Sequence, residues 1–154
     1  PMPFLMKAFE FIGTAKVAKS AFEAKELGFF SKDDEITMNR DRLLFDAKQK
    51  AMKLSINYIP PKSEEFSLPG KTGYSTLQLA INDLSKKGQI TEHDKVVAGA
   101  LAEVLTGGDT DITESLSEDD LLKLERKVFL KLSKTTGTLA RMEHMLNTGK
   151  PLRN

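Results

Sequence analysis

The strongest constraint on this chain is the punctuation of its apolar residues. They recur at helical spacing in run after run, and nearly every run ends at a glycine or a proline. Phe4, Ala8, Phe11 and Ile12 share one face of a short helix that Gly13 stops. Ser20 and Glu23 have capping-box spacing, which predicts a helix ending at Leu27 and Gly28, where glycine can turn left-handed. Leu43, Leu44, Ala47, Ala51 and Leu54 line one face of a longer helix over about 39–56. Pro60, Pro61, Pro69, Gly70 and Gly73 then make residues 59–73 an extended connector.

Beyond the connector the same pattern resumes. Leu77, Ala80, Ile81 and Leu84 form a stripe over 74–87, closed by Gly88. Val96, Val97, Ala100, Leu101, Val104 and Leu105 form the next, ended by Gly107 and Gly108. Ser117 caps a helix with Glu118, Asp119 and Asp120 in its first turn, where the dipole favours carboxylates. Its predicted buried stripe is Leu121, Leu124, Val128, Phe129 and Leu132, and a last helix over about 138–147 is expected to bury Leu139, Met142 and Leu146. The segment 14–19 is too brief to assign, and no stretch alternates as a strand does. The expectation is an all-α chain of about six to seven helices: an N-terminal arm at 1–58, the connector at 59–73 and a helical bundle at 74–154.

Composition narrows the chemistry. With 154 residues, 23 basic and 22 acidic side chains, the formal net charge is +1, so charge-driven binding to nucleic acid or membrane surfaces is not expected. The absence of Cys removes disulfides, thiol catalysis and thiolate metal sites, and two His residues cannot build a multi-histidine centre. No run approaches the roughly 18 apolar residues that span a bilayer. The first residues lack a signal-peptide pattern, so a reducing cytoplasmic setting is expected.

Individual motifs give way on inspection. Gly70, Lys71 and Thr72 look like the end of a phosphate loop, but Glu65 stands where that loop needs its first glycine. Asp109 and Asp111 alternate as calcium ligands do, yet Thr113 and Glu114 occupy positions that a calcium loop gives to its next ligand and its glycine. His93 stands at a helix start and His144 near a helix end, neither with a Ser, Cys or second His close in sequence. From Asp109 to Glu125 there are seven acidic residues against one basic, and from Arg126 onward seven basic against one acidic. Such blocks suit a dipole-matched helix or a charged contact between helices. Phe129 is the sole aromatic residue among the basic ones, short of the repeated interleaving of a single-strand binder. Seven of the nine Phe residues (4, 9, 11, 22, 29, 30 and 45) fall within the first 45 positions. They form either a core with the later helices or a surface that seeks a partner.

Three phrases carry a family resemblance beyond the weaker pattern Ala21, Glu23, Ala24, Leu27 and Gly28. They are residues 39–48, with Asn39, Arg40, Asp41, Arg42, Leu43 and Leu44; residues 105–109, with Gly107, Gly108 and Asp109; and the ending 145–154. Together they resemble the C-terminal region of bacterial 3-hydroxyacyl-CoA dehydrogenases of fatty-acid β-oxidation that carry a crotonase (enoyl-CoA hydratase)-like region. The resemblance implies that 1–58 is a crotonase-like helical arm and 74–154 a helical tail of a longer enzyme. It also implies NAD and acyl-CoA for that parent, with the upstream dehydrogenase and crotonase-like domains and further copies of the chain as partners. No G-x-G-x-x-G stands here. No residue of this chain is therefore assigned a catalytic, cofactor-binding or metal role. The rival reading is an independent all-helical interaction module.

Overall fold

The computed structural model describes residues 2–154. In chain order its elements are α1 (Met2–Gly13), α2 (Ala21–Leu27), a 3-10 turn (Arg40–Arg42), α3 (Leu43–Ser55) and β1 (Glu65–Phe66). Then follow α4 (Gly70–Lys86), α5 (Glu92–Leu105), β2 (Leu116–Ser117), α6 (Glu118–Leu132) and α7 (Thr136–Thr148). The chain is all-α, with seven α-helices among the described residues. It divides into two compact units, one of Pro1–Ala15 with Ser63–Asn154 and one of Lys16–Lys62.

The larger unit is organised on α5, against which α1, α4 and α6 all pack. Its core joins Leu5 and Phe9 of α1, Leu77 and Ile81 of α4 and Ala102 of α5. Leu77, Ile81 and Ala102 are almost wholly removed from solvent. The i, i+4 spacing of Leu77 and Ile81 places both on one face of α4, and that face is the one covered. Truncating Leu77 to Ala would cost about 2–5 kcal/mol.

Helix starts follow their local chemistry closely. Thr91 with Asp94 and Ser117 with Asp120 each form a reciprocal capping box at the heads of α5 and α6. Ser20 caps α2 through the Glu23 amide, and Gly28 ends it at φ 84°. The return bond of that expected box lands one residue away, because Glu23 Oε2 accepts from the Lys19 amide at 2.7 Å. Residues 14–19 form no helix.

Other expectations are corrected. α4 begins at Gly70, inside the stretch read as connector, since Pro69 can precede a helix whose first amides need no intrahelical partner. The expected helix over 39–56 is a 3-10 turn followed by α3, with Asn39 accepting from the Asp41 amide. Two strands of two residues pair antiparallel, Glu65 with Ser117 and Phe66 with Leu116. They are too short to show alternation in sequence. Phe129 is 62% exposed rather than buried, and Leu139, Met142 and Leu146 of α7 all face outward. Phe129 lies about 100° around α6 from Val128, which takes the buried position.

In the smaller unit Ala24 is the buried apolar residue. Lys25 Nζ donates to the Lys32 and Asp34 carbonyls at 3.0 and 2.5 Å, drawing the loop after α2 back along it. Lys50 pairs with Glu35 at 2.6 Å, and Arg42 with Asp46 at 3.3 Å. The apolar face of α3 is present but uncovered, with Leu44 82% exposed.

Gly70 is the tightest backbone position. Its φ is 51°, its amide donates to the Thr106 carbonyl at 2.8 Å, and a Cβ there would strike the Thr110 carbonyl. Gly149 also has positive φ, at 67°, but with open space around it. Gly149→Ala should therefore show only the left-handed cost of about 1 kcal/mol. Gly70→Ala should cost at least ~1 kcal/mol more, because the backbone must move as well. Chemical denaturation of the two variants side by side checks the difference.

Candidate functional site

A groove of about 1220 Å³ lies within the larger unit. α5 supplies a floor of Val97, Leu101 and Val104, residues at i, i+4 and i+7 on one helical face. Phe9 and Ile12 of α1 line it, as do Val128, Phe129 and Leu132 of α6. Charged residues stand around it, among them Lys7, Glu10, Glu125, Arg141 and Arg153.

The polar end of this groove docks α7 on the head of α5. Arg141 donates through Nη2 to Asp94 Oδ1 at 2.7 Å, and through Nε to Asn154 Oδ1 at 2.7 Å. Asn154 Nδ2 donates in turn to the Gly137 carbonyl at 3.2 Å. Burial alone would raise the Asp94 carboxyl. Hydrogen bonds from Thr91 and Arg141, with the nearby guanidinium charge, outweigh burial and hold its pKa below the usual carboxylate value.

His93 is half-buried, with Nε2 3.0 Å from Thr138 Oγ1. This hydroxyl partner lies 45 positions away, beyond the reach of any pattern among sequence neighbours. Thr138 Oγ1 also accepts from Thr135 Oγ1 at 2.9 Å, and Thr135 caps α7. A catalytic pair would need a third group orienting the imidazole. Here the far side of the ring meets Gly137, where any side chain would collide with it. The arrangement holds α7 close to α5. His144 lies on α7, its carbonyl accepting from Thr148 Oγ1 at 2.7 Å.

The remaining motifs resolve into structural contacts. Gly70, Lys71 and Thr72 form the first turn of α4, and the Gly70 amide is engaged by Thr106. Lys71 Nζ pairs with Asp109 at 2.6 Å, which lowers the Asp109 pKa and raises that of Lys71. Asp111 accepts from the Thr113 amide and hydroxyl at 2.8 and 2.6 Å, and buried Thr110 donates to Glu114 Oε2 at 2.8 Å. The two Asp of the calcium-like pattern therefore have separate partners. Among the described residues no three His, Asp or Glu converge in a way that could hold a metal ion. Nor is any helix among them long and apolar enough to cross a membrane.

Four of the seven residues of the basic block gather on α6 and just beyond it. These four, Arg126, Lys127, Lys131 and Lys134, line a shallow depression with Lys123, Leu130 and Thr135. The Phe-rich start divides between its two readings. Phe9 is core, while Phe4 at 81%, Phe22 and Phe45 are exposed.

Comparison with known proteins gives one informative match. The chain is 44% identical, over its whole length, to the C-terminal part of a "Probable 3-hydroxyacyl-CoA dehydrogenase" of Bacillus subtilis (strain 168). It spans 20% of that curated relative's length. No protein-family model matches the chain, and no solved structure does.

The Arg141–Asp94 pair yields a prediction with a sign. Because the folded Asp94 pKa is lowered, its contribution is present above the unfolded value of about 3.9 and is lost as pH falls through the folded value. Arg141→Ala should cost about 1 kcal/mol at neutral pH, between an exposed pair and a buried one. That difference should shrink as pH falls through the folded Asp94 value, leaving what the Arg141 bond to Asn154 contributes. Urea melts of both proteins across pH check it.

Proposed function

We propose that the chain is a helical C-terminal region of a fatty-acid β-oxidation enzyme, an NAD-dependent 3-hydroxyacyl-CoA dehydrogenase, and works as a packing and assembly element of it. The observation that carries this reading is the 44% identity extending over the whole chain. In such a parent the hydride passes from the 3-hydroxyl carbon of the acyl-CoA to NAD, in domains outside this chain. Closure of the acyl-CoA site belongs to the same proposal. So do a crotonase-like origin for residues 1–58, with hydratase-like activity in the parent, and a cytoplasmic setting.

Support comes from the character of the surfaces. Exposed apolar side chains on α3, α6 and α7 are what an element built to lie against other protein would show. The same exposure favours the second reading, an independent all-helical interaction module. Residues with pairing geometry, such as His93 with Thr138, are used to join helices. No G-x-G-x-x-G appears in the chain to cradle a dinucleotide.

The test is enzymatic. The 154-residue chain alone should give no NAD reduction with a 3-hydroxyacyl-CoA and no hydration of an enoyl-CoA. A longer natural chain containing it should give the first activity. Turnover by the 154-residue chain above a blank would overturn the assignment. An inactive full-length protein would favour the interaction-module reading.

A further inference from the structure

We infer that the exposed flank of α6, which borders the groove through Glu125 and Phe129, is a docking surface for a second copy of this chain, laid antiparallel across a two-fold axis. Leu122, Glu125, Arg126 and Phe129 fall at i, i+3, i+4 and i+7, so they share one face of α6. Leu122 and Phe129 are 53% and 62% exposed, although they are large and apolar. Glu125 and Arg126 between them are exposed, and neither makes a hydrogen bond or ion pair among the described residues.

An antiparallel copy with the axis between residues 125 and 126 makes this face its own complement. Leu122 then meets Phe129 of the second copy, and Phe129 meets the second copy's Leu122. Glu125 faces Arg126 of the second copy, and the reverse pair forms by symmetry. A closed two-fold contact requires such reciprocity, since each patch must fit itself. The long-range charge has the same sense. Glu118, Asp119 and Asp120 stand in the first turn of α6, and Lys131 in its last. Antiparallel alignment brings acidic start to basic end on both sides. A parallel copy would set like charges together.

The occupant follows from this charge order. A general apolar partner would have no use for adjacent, unpaired, opposite charges at the centre of the stripe. A second α6 satisfies both of them. The proposal gives the assembly role above a surface, and rests on it only in that respect. Its test reads association and not turnover, so the two can fail separately.

The experiment is sedimentation velocity on the 154-residue chain over ~1–500 μM, at low and at high salt. The unaltered chain should form a dimer that weakens as salt rises. Glu125→Arg alone puts Arg against Arg, and Arg126→Glu alone puts Glu against Glu. Each should weaken dimerisation at least ~tenfold. The double exchange, Glu125→Arg with Arg126→Glu, restores opposite charges and should recover the dimer. All three changes lie at exposed positions, and unchanged helical circular dichroism would exclude misfolding. Phe129→Lys should also weaken the dimer. A monomer at every concentration overturns the proposal. So does a dimer that neither single change affects, or a double exchange that fails to rescue.

Discussion

The closeness of α4 to α5 is the contact on which the larger unit depends. Ala102 is fully buried and has no side chain beyond Cβ, so α4 can approach α5 closely at that point. Leu77 and Ile81 fill the resulting interface and are completed by Leu5 and Phe9 from α1. A larger residue at 102 would separate the helices and admit water to the surface they share. The turn after α5 has the same tightness. Thr106 is buried, its hydroxyl donates to the Ala102 carbonyl at 2.8 Å, and its own carbonyl takes the Gly70 amide. Core packing and the start of α4 are therefore set by neighbouring residues on one helix.

Much of this was legible in the sequence because it is local. Caps at Ser20 and Ser117 depend on residues three positions away, and Gly28 depends on its own φ. The covered stripe of α4 follows from its period. The misread stripes of α3, α6 and α7 share a cause. Periodicity says that an apolar face exists but not whether anything covers it. The stripes of α3 and α7 are real and uncovered, and Phe129 sits just outside the buried arc of α6. The His93–Thr138 contact and the Arg141–Asp94 pair link residues 45 and 47 positions apart, beyond any local pattern. The two-residue strands were illegible because alternation needs more residues than they contain.

The polar chemistry of the chain is devoted to joining elements. Asp94 caps α5 and grips α7, Lys71 pairs with Asp109, and Ser115 donates to Glu65 at 2.6 Å beside the small ladder. The carboxylates Asp94, Asp109 and Asp111 and the hydroxyls Thr110 and Thr138 each have a partner belonging to a turn, cap or helix pair. The exposed apolar residues lack that resolution. Leu44 and Leu146, for example, are more than four-fifths exposed.

The assignment of α1 to the larger unit has a consequence for biosynthesis. Residues 16–62 interrupt that unit in the chain, so Leu5 and Phe9 emerge from the ribosome well before Ala102 exists to receive them. At ~5–20 residues per second the wait is about 5–20 s, far longer than collapse or helix formation. During that time residues 2–13 are a short apolar segment without its seat, exposed to chaperones and to other nascent chains. Changes that slow translation between α1 and α5 should thus lower the yield of folded protein while leaving its final stability untouched.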